Sequence, residues 1–146
     1  MSFQNIVVPV DGSDTSFAAV AKAIEFAKAF NSKVTVVQVM VLDPYIAAEY
    51  ISATQTNDLI ERARTSIVDN LNAVKEKLSA DGINAEAKLL EGQTVHTEIV
   101  KAAQDANADL IIIGSHGRTG LKKFFLGSVA QSVLGSSDIP VMVVRK

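Results

Sequence analysis

Glycines recur at an uncommon spacing between residues 114 and 128. In Gly114-Ser115-His116-Gly117-Arg118-Thr119-Gly120, and then Gly127-Ser128, they follow G-x2-G-x9-G with a serine directly after. The segment joins a strongly apolar run, Asp109-Leu110-Ile111-Ile112-Ile113, to a stretch of helical character from Ser128 to Leu134. Backbone amides at a helix start are unpaired donors at the positive end of the helix dipole, so they suit phosphate, and glycine lets that backbone come close. The spacing is neither that of a P-loop nor G-x-G-x-x-G. Turn formation alone would also account for the glycines, and Ser128 with Gln131 matches an S-x-x-Q capping box.

A second set of polar residues follows the run Ile6-Val7-Val8-Pro9-Val10. Asp11-Gly12-Ser13 puts a carboxylate and a hydroxyl just past its carboxyl end, where open α/β sheets bind ligands if the strand order reverses there. Asp11 suits a ribose hydroxyl or a metal-bound water, and Ser13 a phosphate. Ser13, Asp14 and Ser16 also read as helix caps, a reading that accounts less well for Asp11. The usual catalytic sets are missing: cysteine is absent and the only histidines are His96 and His116, which leaves no basis for a zinc site or a Cys–His pair. His96 reads as a helix-surface residue. His116, in the glycine loop, is near enough to approach a phosphate but reads as solvated. Glu61, Arg62, Arg64, Asp69, Lys75, Glu76 and Lys77 read as a solvated helix face.

The positioning elements alternate. Residues 6–10 read as a buried strand, and Phe17, Val20, Ile24 and Ala27 recur at helical spacing, as one face laid on a sheet. Lys33 to Val41 is valine-rich, which suits a parallel strand covered on both faces. From Leu42 to Gln55 the pattern weakens around Pro44, Tyr45 and Tyr50, and this segment reads as a loop or lid whose tyrosines are candidates to cover a base. A long helix then runs from Asn57 through Ile60, Ala63, Ile67, Leu71, Val74 and Leu78 to a stop at Gly82. Residues 84–90 read as a more polar strand, Thr94 as the N-cap of a helix through Val95, Ile99 and Ala106, and Pro140 to Val144 as a final strand. This β-α alternation predicts a single domain over residues 1–146: an open parallel sheet with helices on both faces.

Composition narrows the partners. Fourteen basic against sixteen acidic residues give a formal charge of -2, without the basic stripe a nucleic acid requires. The apolar runs are strand-sized, far from the roughly 20 residues of a membrane span. The N-terminus shows no basic and apolar signal pattern, and the lack of cysteine fits a reducing compartment, so the location read from the sequence is cytoplasmic.

Three separated motifs, Val8-Pro9-Val10-Asp11-Gly12-Ser13, Ala108 to Gly117, and Leu126-Gly127-Ser128-Val129-Ala130, resemble those of the universal stress protein family, and the likeness extends to Pro140-Val141-Met142-Val143-Val144. The resemblance implies a Rossmann-like five-stranded sheet in the order 3-2-1-4-5. It also implies the ATP-binding type, with Gly114, Gly117, Arg118, Gly127, Ser128 and Val129 around phosphates and ribose. Pro9, Val10, Asp11 and Ser13 would form the facing wall, and the backbone of Val39 would hold adenine. A carboxylate such as Asp11 near a triphosphate needs an offsetting charge, which makes Mg2+ or Mn2+ the expected companion of ATP. The last strand would lie at a sheet edge and pair with its twin in a homodimer through Val141, Val143 and Val144. The function implied is an ATP-binding regulatory module of stress response. The alternatives are a slow ATPase or self-phosphorylating enzyme and a nucleotide-free dimeric interaction protein.

Overall fold

The computed structural model describes residues 3–41, 53–116 and 126–145, with residues 53–56 as backbone only. Its elements are β1 (Asn5–Pro9), α1 (Asp14–Phe30), β2 (Lys33–Val41), α2 (Ala53–Ala80), β3 (Asn84–Gly92), α3 (Val95–Asp105), β4 (Leu110–Gly114), α4 (Ser128–Ser136) and β5 (Val141–Val144). The strands form one sheet in the order β3-β2-β1-β4-β5, every pair parallel. Parallel neighbours require crossovers, and the intervening helices supply them.

The valines and isoleucines of the central strands explain the two layers. Successive strand side chains point to opposite faces, so Ile6, Val8, Val34, Val36 and Ile112 enter one core with α1 and α2, including Leu71 and Leu78. Val7, Val37, Ile111 and Ile113 enter another, with Ile99 and Ala103 of α3 and Ala130 and Val133 of α4. At the amino end of the sheet the Asp109 carboxylate accepts from the backbone N–H groups of Gln4, at 2.7 Å, and Asn5, at 3.2 Å, and this ties β1 to β4 far from the strands' carboxyl ends.

Three expectations need correction. Phe17, predicted on the sheet face of α1, is 54% exposed. The residues that α1 buries are small, Thr15, Ser16, Ala19, Val20, Ala23 and Ala27, because this helix lies close to the sheet and leaves no depth for an aromatic ring. The second helix begins at Ala53, inside the segment read as a lid, and Ala63 on its expected apolar face is exposed. At 28 residues it is about 42 Å long, whereas the nine-residue β3 beside it spans about 30 Å, so its first turns run past the sheet. Tyr45 and Tyr50 lie outside the described residues. Gly82 does end α2, at φ +78°, with the Ile83 N–H closing on the Leu78 carbonyl at 3.1 Å. Among the described residues no helix is long and apolar enough to cross a membrane.

Candidate functional site

The order of the strands reverses between β1 and β4, since β1 is followed outward by β2 and β4 by β5. Chains leaving two adjacent strands in opposite directions open a crevice at the carboxyl ends. A cavity of about 330 Å³ occupies that place, within the size range of small-molecule sites. Pro9, Val10, Asp11 and Ser13 line it from the end of β1, Gly114 and His116 from the end of β4, Gly127, Ser128 and Val129 from the start of α4, and Val39 from β2. Two widely separated segments singled out in the sequence thus share one wall-to-wall space. Gly117 and Arg118 lie outside the described residues.

The β1 loop is built by its own polar groups. Asp11 Oδ1 accepts the Ser13 N–H at 2.9 Å, and Gly12 between them takes φ +83°, a conformation that favours glycine. Ser13 caps α1: its Oγ accepts the Ser16 N–H at 3.3 Å, and its carbonyl accepts the Ser16 hydroxyl at 2.9 Å. Capping and cavity lining coexist on these residues, because Asp11 closes the turn with one carboxylate oxygen and keeps the other.

The opposite wall has a different logic. Gly127, not Ser128, occupies the cap position of α4, and no described side chain caps the helix. Gln131 reaches the Leu126 carbonyl at 2.6 Å, so the capping box suggested by S-x-x-Q is not formed. The first amides of α4 therefore meet the cavity without a side-chain acceptor, at the positive end of a helix dipole. Gly114 serves packing. A Cβ there would lie 2.8 Å from the backbone carbon and Oγ1 of Thr15, and the buried Thr15 hydroxyl donates to the His116 carbonyl. Gly127 is tight in the same way, its Cβ position lying 3.0 Å from His116 Cα and 3.1 Å from the Ser115 carbonyl oxygen.

Val39 presents backbone. The Val37 carbonyl accepts the Val10 N–H at 2.8 Å, where β1 ends. Two residues on, Val39 turns its N–H and C=O to the same side, beyond the last rung of β1, and no described residue bonds them there.

The sequence reading did not anticipate Val95 and Ile99 of α3, which give the cavity an apolar flank, nor Gln38 and Ser16 on the α1 side. Val95 and Ile99 showed only helical periodicity, which marks a buried face without saying which part of it faces a ligand. His116, read as solvated, is half-buried against Ser115. Among the described residues no group of three or more His, Asp, Glu or Cys is placed to hold a metal ion.

The sequence model of the universal stress protein family matches residues 2–145. The chain belongs to the universal stress protein family. A universal stress protein of Methanocaldococcus jannaschii, MJ0531, is 36% identical over 145 residues, spanning 99% of this chain and 83% of the relative. The structure of hypothetical protein MJ0577 from the same organism superposes with a TM-score of 0.87 at 30% identity, covering 100% of this chain and 98% of that one. Two further structures of the family contain nucleotides. One, from Archaeoglobus fulgidus in complex with dAMP, has a TM-score of 0.66 at 26% identity and covers 99% of both chains. The other, a universal stress protein in complex with cAMP, has a TM-score of 0.72 at 25% identity and covers 99% of this chain and 98% of that one.

Proposed function

We propose that this universal stress protein binds ATP in the cavity between β1 and β4 and acts as a nucleotide-dependent regulatory module. The observation that carries the reading is the uncapped start of α4 facing the free backbone edge of Val39 across one cavity. The edge suits a base that carries a donor beside an acceptor, as adenine does, and the helix start suits phosphates. In this arrangement Val39 holds adenine between the apolar flank of Val95 and Ile99 and the wall of Pro9 and Val10. Ser13, Gly127, Ser128 and Val129 take phosphate oxygens, and the free oxygen of Asp11 serves either a ribose hydroxyl or a metal ion that accompanies the phosphates. Gly114, Gly117 and Arg118 complete the cradle by the family resemblance. The relatives that hold dAMP and cAMP support the adenine nucleotide class.

The carboxylate oxygen that Asp11 keeps fits one ligand position of Mg2+ or Mn2+. Such an ion is commonly held by one or two carboxylates plus substrate phosphates and water, so a single protein ligand suffices. When bound it would neutralise phosphate charge beside Asp11. A cytoplasmic location and a homodimer through β5 belong to the same reading.

Calorimetric titration with ATP and Mg2+ tests it. Saturable binding at or below millimolar ATP is expected, together with an adenine nucleotide released when the purified protein is denatured and chromatographed. No heat at millimolar ATP overturns the reading.

A further inference from the structure

His116 is the side chain in the cavity whose chemistry depends on a neighbour. Its half-buried ring puts Nδ1 3.1 Å from the Ser115 hydroxyl, and its carbonyl accepts the Thr15 hydroxyl. Ser115 itself is 3% exposed, with its N–H donated to the Val144 carbonyl at 2.8 Å and its carbonyl taken by the Gly127 N–H at 2.6 Å. Two strands and the start of α4 thus fix the serine backbone. Its hydroxyl makes one described contact, to the histidine ring.

A buried hydroxyl proton without an acceptor is costly, whereas a hydroxyl oxygen tolerates an empty lone pair better. The Ser115 proton therefore goes to Nδ1. A neutral imidazole carries one proton, and an Nδ1 that accepts leaves that proton on Nε2. The ring's opposite nitrogen is then a donor, on a residue that lines the cavity.

We propose that Ser115 is a positioning residue that fixes His116 as the Nε2–H tautomer, so that the neutral ring donates a hydrogen bond to a phosphate oxygen of the bound nucleotide. This rests on the nucleotide reading above. A phosphate has acceptors only, so the reverse tautomer, with a lone pair on Nε2, would repel it. The Thr15 contact holds the His116 backbone while Ser115 sets the ring.

The experiment has two arms. Long-range nitrogen–proton NMR of the imidazoles reads the tautomer without nucleotide, and with two histidines in the chain a His96→Gln variant assigns the signals. Neutral His116 is expected almost wholly as Nε2–H in the wild type, as a mixture in Ser115→Ala, and restored in Ser115→Thr. An unchanged tautomer in folded Ser115→Ala overturns the role of Ser115. In the binding arm, His116→Ala should lower the ratio of ATP to adenosine affinity about tenfold, the scale of one hydrogen bond to a charged group, and Ser115→Ala should lower it about threefold. Equal losses for ATP and adenosine, or none, overturn the phosphate contact. Wild-type protein that binds no nucleotide overturns the parent reading instead, while the tautomer arm still reports on Ser115.

Discussion

At the scale of single residues, Gly114, Gly127 and Gly135 separate by what surrounds them. A Cβ at Gly114 would press on backbone atoms of Thr15 at 2.8 Å, and backbone cannot swing aside. At Gly127 the nearest atoms stand at 3.0–3.1 Å, and at Gly135, inside α4, nothing lies within 4 Å. Overpacking of this kind costs about 1–3 kcal/mol, whereas Gly→Ala in an unobstructed helix gains about 0.5–1 kcal/mol. Thermal melts should therefore rank Gly114→Ala lowest, by roughly 5–10 °C, Gly127→Ala intermediate, and Gly135→Ala above wild type by about 2 °C, on a scale of about 2–4 °C per kcal/mol for a domain near this size. The opposite order would show that α1 does not sit against β4 as described. Gly127→Val illustrates how the structure alters a sequence argument. Its spacing suggests a side chain intruding on phosphate space, but the added carbon meets the 115–116 backbone first. Lost binding in that variant should come with lost stability.

Among the elements, α1 tests how helical periodicity is to be read. Three- and four-residue spacing fits both Phe17-Val20-Ile24-Ala27 and Ala19-Ala23-Ala27; apolarity favours the first set, and the helix buries Val20 and Ala27 of it together with Ala19 and Ala23 while leaving Phe17 outside. Phe17→Gln should change stability by less than about 0.5 kcal/mol, as for other exposed positions, whereas Ala23→Leu at a fully buried site should cost about 1–3 kcal/mol; chemical denaturation distinguishes them. The parallel sheet and the two polar turns after β1 and β4 were legible because valine and isoleucine runs and turn residues are local signals, whereas the strand order that brings those turns to one crevice came from the family resemblance, not from the residues alone. The overhang of α2 and the α3 flank of the cavity were not legible, since they depend on the relative lengths and placement of elements far apart in sequence. Between β2 and β3, the hydrogen bond and charge of Lys33, 3.2 Å away, hold the Glu86 carboxyl below its ordinary value. Folding thus favours the ionised form, so the contribution is present above about pH 4.5 and fades as pH falls through the folded-state value. Glu86→Gln should be slightly less stable than wild type at neutral pH, the difference vanishing in strong acid. Both groups are substantially exposed, so the effect is small and weakens with salt.

For the molecule as a whole, the proposed homodimer rests on the free edge of β5. The Ile111 N–H bonds the Pro140 carbonyl and the Ser115 N–H bonds the Val144 carbonyl. By strand alternation the even-numbered residues of β5 therefore turn their backbone toward β4, and Val141 and Val143 turn theirs outward. Val144 is 8% exposed and belongs to the core, so of the three valines proposed for an interface only Val141 and Val143 offer edge backbone. An open edge of paired donors and acceptors recruits another strand, and a two-fold axis would set the twin β5 antiparallel to it. Sedimentation velocity at micromolar concentration should show about twice the 15.5 kDa chain mass. Val143→Pro removes an outward N–H without taking a bond from β4, a position where an edge strand tolerates proline. This variant should sediment as a folded monomer, and, because the interface lies across β4 from the crevice, retain its heat of ATP binding. A wild-type monomer removes the dimer from the proposal, and a dimer untouched by Val143→Pro moves the interface away from β5.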